Sequence, residues 1–87
     1  DANLAEAHNR LGILLVARGQ VELGHEHLQK AGQLAPGDPS PQMHLAQACA
    51  LLGRRQDGER YLQNAERLGA SPHMLAAIRR QFFAAGA

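Results

Sequence analysis

The sequence predicts an all-α chain of five helices in antiparallel succession, and three observations carry that expectation. The first is an internal step of 34 residues: Leu11 leads to Leu45, Gly19 to Gly53, Gly24 to Gly58, Leu28 to Leu62, Ala31 to Ala65 and Leu34 to Leu68. Hydrophobic, small and turn residues recur in one register, the mark of stacked helical units. The second is composition. Hydrophobic residues make up 45% but aromatics only 3%, so the core has to be built from Leu, Ala, Ile and Val, with almost no β-branched run. The third is the placement of Gly and Pro between the apolar segments, where they break helices.

Taken in order, Asn3 can cap the first helix, with Glu6 three residues on reaching back as in a capping box. That helix is expected over Leu4 to Arg18, with Leu11, Leu14 and Leu15 at helical spacing as its buried stripe. Gly19 supplies the positive φ that ends it. The second helix runs from Gln20 to about Leu34 and turns Val21, Gly24, Leu28 and Ala31 inward. Gly24 lowers helix propensity by about 1 kcal/mol relative to Ala, and its recurrence as Gly58 points to a close approach of the two helices.

The run Pro36 to Pro41 is the strongest breaker, and its prolines stand where a helix begins: Asp38 can cap with Pro39 at the first helical position, or Ser40 with Pro41. The third helix extends to Leu52, Gly53 turns the chain, and the fourth runs to about Leu68. Gly69 stops it, and Ser71-Pro72 repeats the cap-plus-proline start. The last helix, about His73 to Ala85, fits at a step of 33. Leu45 then corresponds to Ile78, Cys49 to Phe82, Gly53 to Gly86 and Gln42 to Leu75. One residue has been lost in the turn between Gly69 and Pro72. Burying a Leu side chain stabilises by roughly 1.5–3 kcal/mol, so Leu11, Leu28, Leu45 and Leu62 are the side chains expected to decide folding.

Several function classes are disfavoured. At 87 residues the chain suffices for one small domain. A net charge of +1 with both signs interspersed offers no field for nucleic acid. The longest apolar run, Ile13 to Ala17, falls far short of the ~20 residues of a membrane span. One cysteine excludes an internal disulfide. No phosphate-binding glycine motif is present, and no cofactor is expected. His25-Glu26-His27 is the one cluster that suggests metal, but two His two apart point ~200° from each other around a helix. They cannot share an ion as the two His of H-E-x-x-H do. Cys49, at the position of Leu15, is expected as a small buried hydrophobe without a neighbouring His. A helix-turn-helix DNA reader would need a basic recognition helix, whereas Arg54-Arg55 and Arg79-Arg80 are isolated pairs among acidic residues.

The repeat resembles the tetratricopeptide pattern, W-x2-L-G-x2-Y…A-x3-F…P. The first copy has His8, Leu11, Gly12, Leu15, Gly24, Leu28 and Pro36 at those places. The second has Gln42, Leu45, Ala46, Cys49, Gly58 and Leu62. Neither copy has the aromatic pair of the first helix, Gly replaces Ala on the second, and Ala70 stands where the closing Pro belongs. The resemblance covers nearly the whole chain. It divides the chain into one unit over about 5–38, a second over about 39–71 and a further first-type helix over about 72–86, stacked as a right-handed superhelix segment. Asp1 to Asn3 then reads as the closing turn of a preceding unit in a longer array.

The resemblance implies a non-catalytic module that docks a peptide or protein partner on the concave face of the first-type helices. Its groove positions fall on Asn9, Ile13 and Val16, then Met43, Gln47 and Ala50, then Ala76, Arg80 and Phe83. Of the clamp that grips acidic chaperone tails in this family only Arg80 is matched, so that ligand is not expected. The alternatives are an appendage of a larger enzyme, such as a glycosyltransferase, sulfotransferase or hydroxylase, or a self-association module that forms a homo-oligomer.

Overall fold

A computed structural model describes residues 2–84. Among the described residues the secondary structure is helical throughout: α1 (Ala2–Ala17), α2 (Val21–Leu34), α3 (Pro39–Leu51), α4 (Arg55–Arg67) and α5 (Pro72–Phe82). Close contacts fix their directions. His8 meets His27, and a Cβ on Gly24 would strike Val16, so α2 runs back along α1. Gly32 faces Pro41 and Gln42 while His25 faces Cys49, so α3 runs back along α2. Gln42 meets Asn64, and Gly58 faces Ala46, so α4 returns along α3.

The two tight turns are built alike. Gly19 and Gly53 take φ of 86° and 76°, open to Gly without strain. Gln20 N–H donates to the Leu15 carbonyl at 2.9 Å, and 34 residues on Arg54 N–H donates to the Cys49 carbonyl at 2.8 Å. Neither α2 nor α4 has a side-chain cap, but Glu22 and Asp57 in their first turns complement the positive end of the helix dipole. The proline starts are capped by side chains. Asp38 Oδ1 accepts from Ser40 N–H at 3.0 Å with Pro39 opening α3, which selects Asp38 over Ser40 as the cap. Ser71 Oγ accepts from Met74 N–H at the start of α5.

Three expectations need correction. α1 begins at Ala2, so Asn3 lies inside its first turn and not ahead of it, and Glu6 pairs with Arg10 at 2.8 Å. Leu11 and Leu14 are exposed at 41% and 49%, because α1 packs through the opposite side, where Ala5 and Gly12 are buried. Leu28, Leu45 and Leu62 are fully buried, so three of the four leucines expected to decide folding do sit in the interior.

The third correction concerns the chain end. α5 stops at Phe82, and Phe83 leaves helical geometry at φ −126°. Its ring turns onto Gly58, where a Cβ would lie 2.6 Å from Cζ, and Arg55 Nη2 donates to the Phe83 carbonyl at 2.7 Å. The end of α5 is thereby pinned to the start of α4. Phe83, Leu75 and Ile78 join Met43, Ala46, Leu62, Ala65 and Ala70 in one core cluster, with Phe82 at its edge. The expected helix end at Ala85 and the turn at Gly86 lie outside the described residues.

Candidate partner-binding face

Of the nine residues that the groove was expected to present, α1 carries Asn9, Ile13 and Val16, all half-buried. Asn9 Nδ2 donates to Ser40 Oγ at 3.1 Å, bridging α1 to α3, and its Oδ1 is buried without a partner among the described residues. Val16 packs towards Gly24, where a Cβ would come within 2.7 Å of its Cγ2, so its methyl groups serve the α1–α2 contact. On α3, Gln47 and Ala50 are half-buried while Met43 is buried in the core cluster. On α5, Ala76 and Arg80 are exposed, and Phe83, just past its end, is buried. The apolar contacts expected from Met43 and Phe83 are therefore largely consumed by the fold, Phe83 because the helix ends before it.

A recess lies between α3 and α5, lined by Met43, His44 and Gln47 on one side and by Met74, Ala77, Ile78 and Gln81 on the other. His44 is held by its Nδ1 donating to the Ser40 carbonyl at 2.9 Å, one turn back on its own helix. Met74 is half exposed at the rim and supplies a flexible, polarizable thioether. Sequence reasoning did not select Met74, although its spacing of four from Ile78 places both on one side of α5. Arg80 and Ala76 lie outside this recess, whereas Gln47 lines it.

The histidines form two separate pairs. His25 Nε2 lies 3.6 Å from Cys49 Sγ, with Tyr61 edge-on to the imidazole. The absence of a His beside Cys49, expected from the sequence, is thus corrected: the contact runs from α2 to α3, between hairpins. Burial lowers the pKa of His25 below its ordinary 6.5, helped by the Arg54 charge, and burial raises Cys49 above 9.0, helped by Asp57. Both shifts favour a neutral thiol beside a neutral imidazole over a reactive thiolate–imidazolium pair.

His8 Nδ1 and His27 Nδ1 are 3.0 Å apart. Ring centroids at 5.3 Å place these imidazoles edge to edge in line, so one nitrogen donates and the other accepts. His25 and His27 consequently face different partners. Among the described residues no three His, Cys, Asp or Glu side chains gather as a metal site, and no helix is long and apolar enough to cross a membrane.

Comparison with family models, with curated proteins and with solved structures finds no match for this chain. The tetratricopeptide resemblance rests on the residues alone.

Proposed function

We propose that the chain is a segment of a tetratricopeptide array acting as a non-catalytic interaction module, which takes an extended peptide along the face formed by α1, α3 and α5. The observation that carries this reading is the recess between α3 and α5. It combines accessible apolar surface from Met74 and Ala77, above the buried Met43 and Ile78, with amide groups from Gln47 and Gln81 that can pair with a peptide backbone. Arg80, exposed on the same helix but outside the recess, offers a cation to a carboxylate of a peptide that extends beyond it. The 34-residue recurrence and the matching hydrogen bonds of the two turns support the array reading. On a helical face the backbone groups are already paired within each helix. An extended peptide there is held by side chains, with amides and cations for its main chain and pockets for its own side chains.

The test is selection of displayed random peptides on the immobilised chain, followed by titration of the recovered sequences. Gln47→Ala combined with Arg80→Ala should weaken binding about tenfold or more, since each lost hydrogen bond to a charged or buried group contributes roughly 1–3 kcal/mol. Melting temperature should stay unchanged, because both side chains lie outside the core cluster. Binders that ignore this double substitution would move the site elsewhere, most directly to the α2 and α4 surface around Glu26, Lys30 and Arg60.

A further inference from the structure

His8 on α1 and His27 on α2 bring their Nδ1 atoms to 3.0 Å, and both side chains are half-buried, so solvent still reaches them. The helices that carry them are locked together close by. A Cβ on Gly12, one turn along α1 from His8, would stand 2.6 Å from Cγ of Leu28, the residue after His27. The pair therefore sits on a fixed frame. Packing does not ask for imidazoles at this level. Thirty-four residues on, the same two places hold Gln42 and Tyr61; Gln42 bonds Asn64 instead, and α3 and α4 form their hairpin without such a pair. Among the described residues, this convergence of two ring nitrogens belongs to the first hairpin.

We propose that His8 and His27 chelate a divalent transition-metal ion of tetragonal preference, Cu(II) ahead of Ni(II), through their two Nδ1 atoms, with water in the remaining positions. Imidazole nitrogens bind such ions at about 2.0–2.1 Å, so two cis ligands of a tetragonal ion lie about 2.9 Å apart and two ligands of a tetrahedral one about 3.4 Å. The separation of 3.0 Å is that of the cis pair. In the metal-free pair one Nδ1–H donates to the other Nδ1 lone pair. Shifting that proton to Nε2 of its own ring frees both lone pairs without changing the charge of either imidazole. Each ring then has to swing from the in-line contact to aim at a shared ion, a rotation about the second side-chain torsion, which is broad for His. His25 takes no part, because its Nε2 is turned to Cys49 on α3. An ion held by one ligand from each helix ties α1 to α2 and stabilises the folded chain. Neither His belongs to the recess between α3 and α5, and the proposal stands or falls independently of the peptide-binding reading.

The test is thermal melting and calorimetric titration of the chain, free of any histidine tag, with the chlorides of Cu(II), Ni(II) and Zn(II). Melting temperature should rise with each ion, most with Cu(II), and return on adding a chelator. Titration should give one ion per chain, with affinity falling as pH drops because protons compete for the ring nitrogens. His8→Gln and His27→Gln should each weaken binding at least ~10-fold, since a single imidazole loses the chelate's effective concentration. His25→Gln, His73→Gln and Cys49→Ala should leave it unchanged. Electron paramagnetic resonance of the Cu(II) form supplies a readout that does not depend on stability: two imidazole nitrogens in the parent chain and one in either single variant. No binding by any of the ions would overturn the proposal, as would binding that survives His8→Gln or His27→Gln. Zn(II) binding tighter than Cu(II) would overturn the cis tetragonal geometry.

Discussion

Leu11 of α1 and Leu45 of α3 occupy the same place in their hairpins, 34 residues apart, yet one is 41% exposed and the other 1%. The helices are alike in period and end in the same glycine turn. What differs is the number of neighbours. α3 lies between α2 and α4 and also meets α5, whereas α1 is backed mainly by α2. The comparison teaches that in this fold a leucine's burial is decided by which helix crosses it, and the local pattern only makes that burial possible.

The sharpest way to break the comparison is to truncate both leucines. Leu45→Ala should cost about 2–5 kcal/mol, the range for opening a cavity in a packed interior. Leu11→Ala should stay within about 0.5 kcal/mol in the monomer, as for surface positions. Urea denaturation of both variants at low protein concentration checks this. Comparable losses would mean that α1 is covered as α3 is.

The glycines at equivalent places in α2 and α4 sharpen it further. A Cβ on Gly24 would stand 2.8 Å from the Gly12 carbonyl oxygen and 2.7 Å from Val16 Cγ2. Backbone cannot yield without separating the helices, so Gly24→Ala should cost about 1–3 kcal/mol even after the gain in helix propensity. At Gly58 the closest atoms belong to the Phe83 ring, beyond the end of α5, and the Ala46 carbonyl oxygen is farther at 3.3 Å. Relieving that contact moves a core side chain and leaves the helix backbones in place, so Gly58→Ala should cost less than Gly24→Ala. Thermal melts of the pair give the ordering.

A smaller effect comes from the contact between the hairpins. His25 is held neutral, so the unfolded chain takes up a proton near pH 6.5 that the folded one accepts only at lower pH. Stability from this group is full above 6.5 and falls as pH drops through that value towards the lowered one. Cys49 has the opposite sign: the unfolded thiol ionises near 9.0 and the folded one only above it, so stability falls as pH rises past 9.0. Melting temperature should therefore hold a plateau between those values. His25→Gln should flatten the acid limb and Cys49→Ala the alkaline one.

These cases also show what could be read from residues. Helix breaks were legible because Gly19, Gly53, Asp38-Pro39 and Ser71-Pro72 act through their own backbone and nearest neighbours. The close helix approach was legible because Gly24 and Gly58 recur where alanine would favour the helix more. Exposure of Leu11, the turn of Phe83 onto Gly58 and the His25–Cys49 contact were not legible, since each depends on a helix distant in sequence. The candidate face divides in the same way. Gln47 stands at the recess as its position on α3 suggests, while Met43 and Phe83 are drawn inward by α5, whose termination no local residue announces.

Amide hydrogen exchange under native conditions, at protein concentrations low enough to keep the chain monomeric, reads the central claim most directly, because it compares α1 and α3 in one unaltered molecule. With α3 enclosed on several sides and α1 backed mainly by α2, central amides of α3 around Leu45 should exchange only through global unfolding. Those of α1 around Leu11 should exchange through a smaller, lower-energy opening, faster by at least an order of magnitude. Equal protection in the two helices would contradict the claim that coverage by a neighbouring helix sets the two hairpins apart.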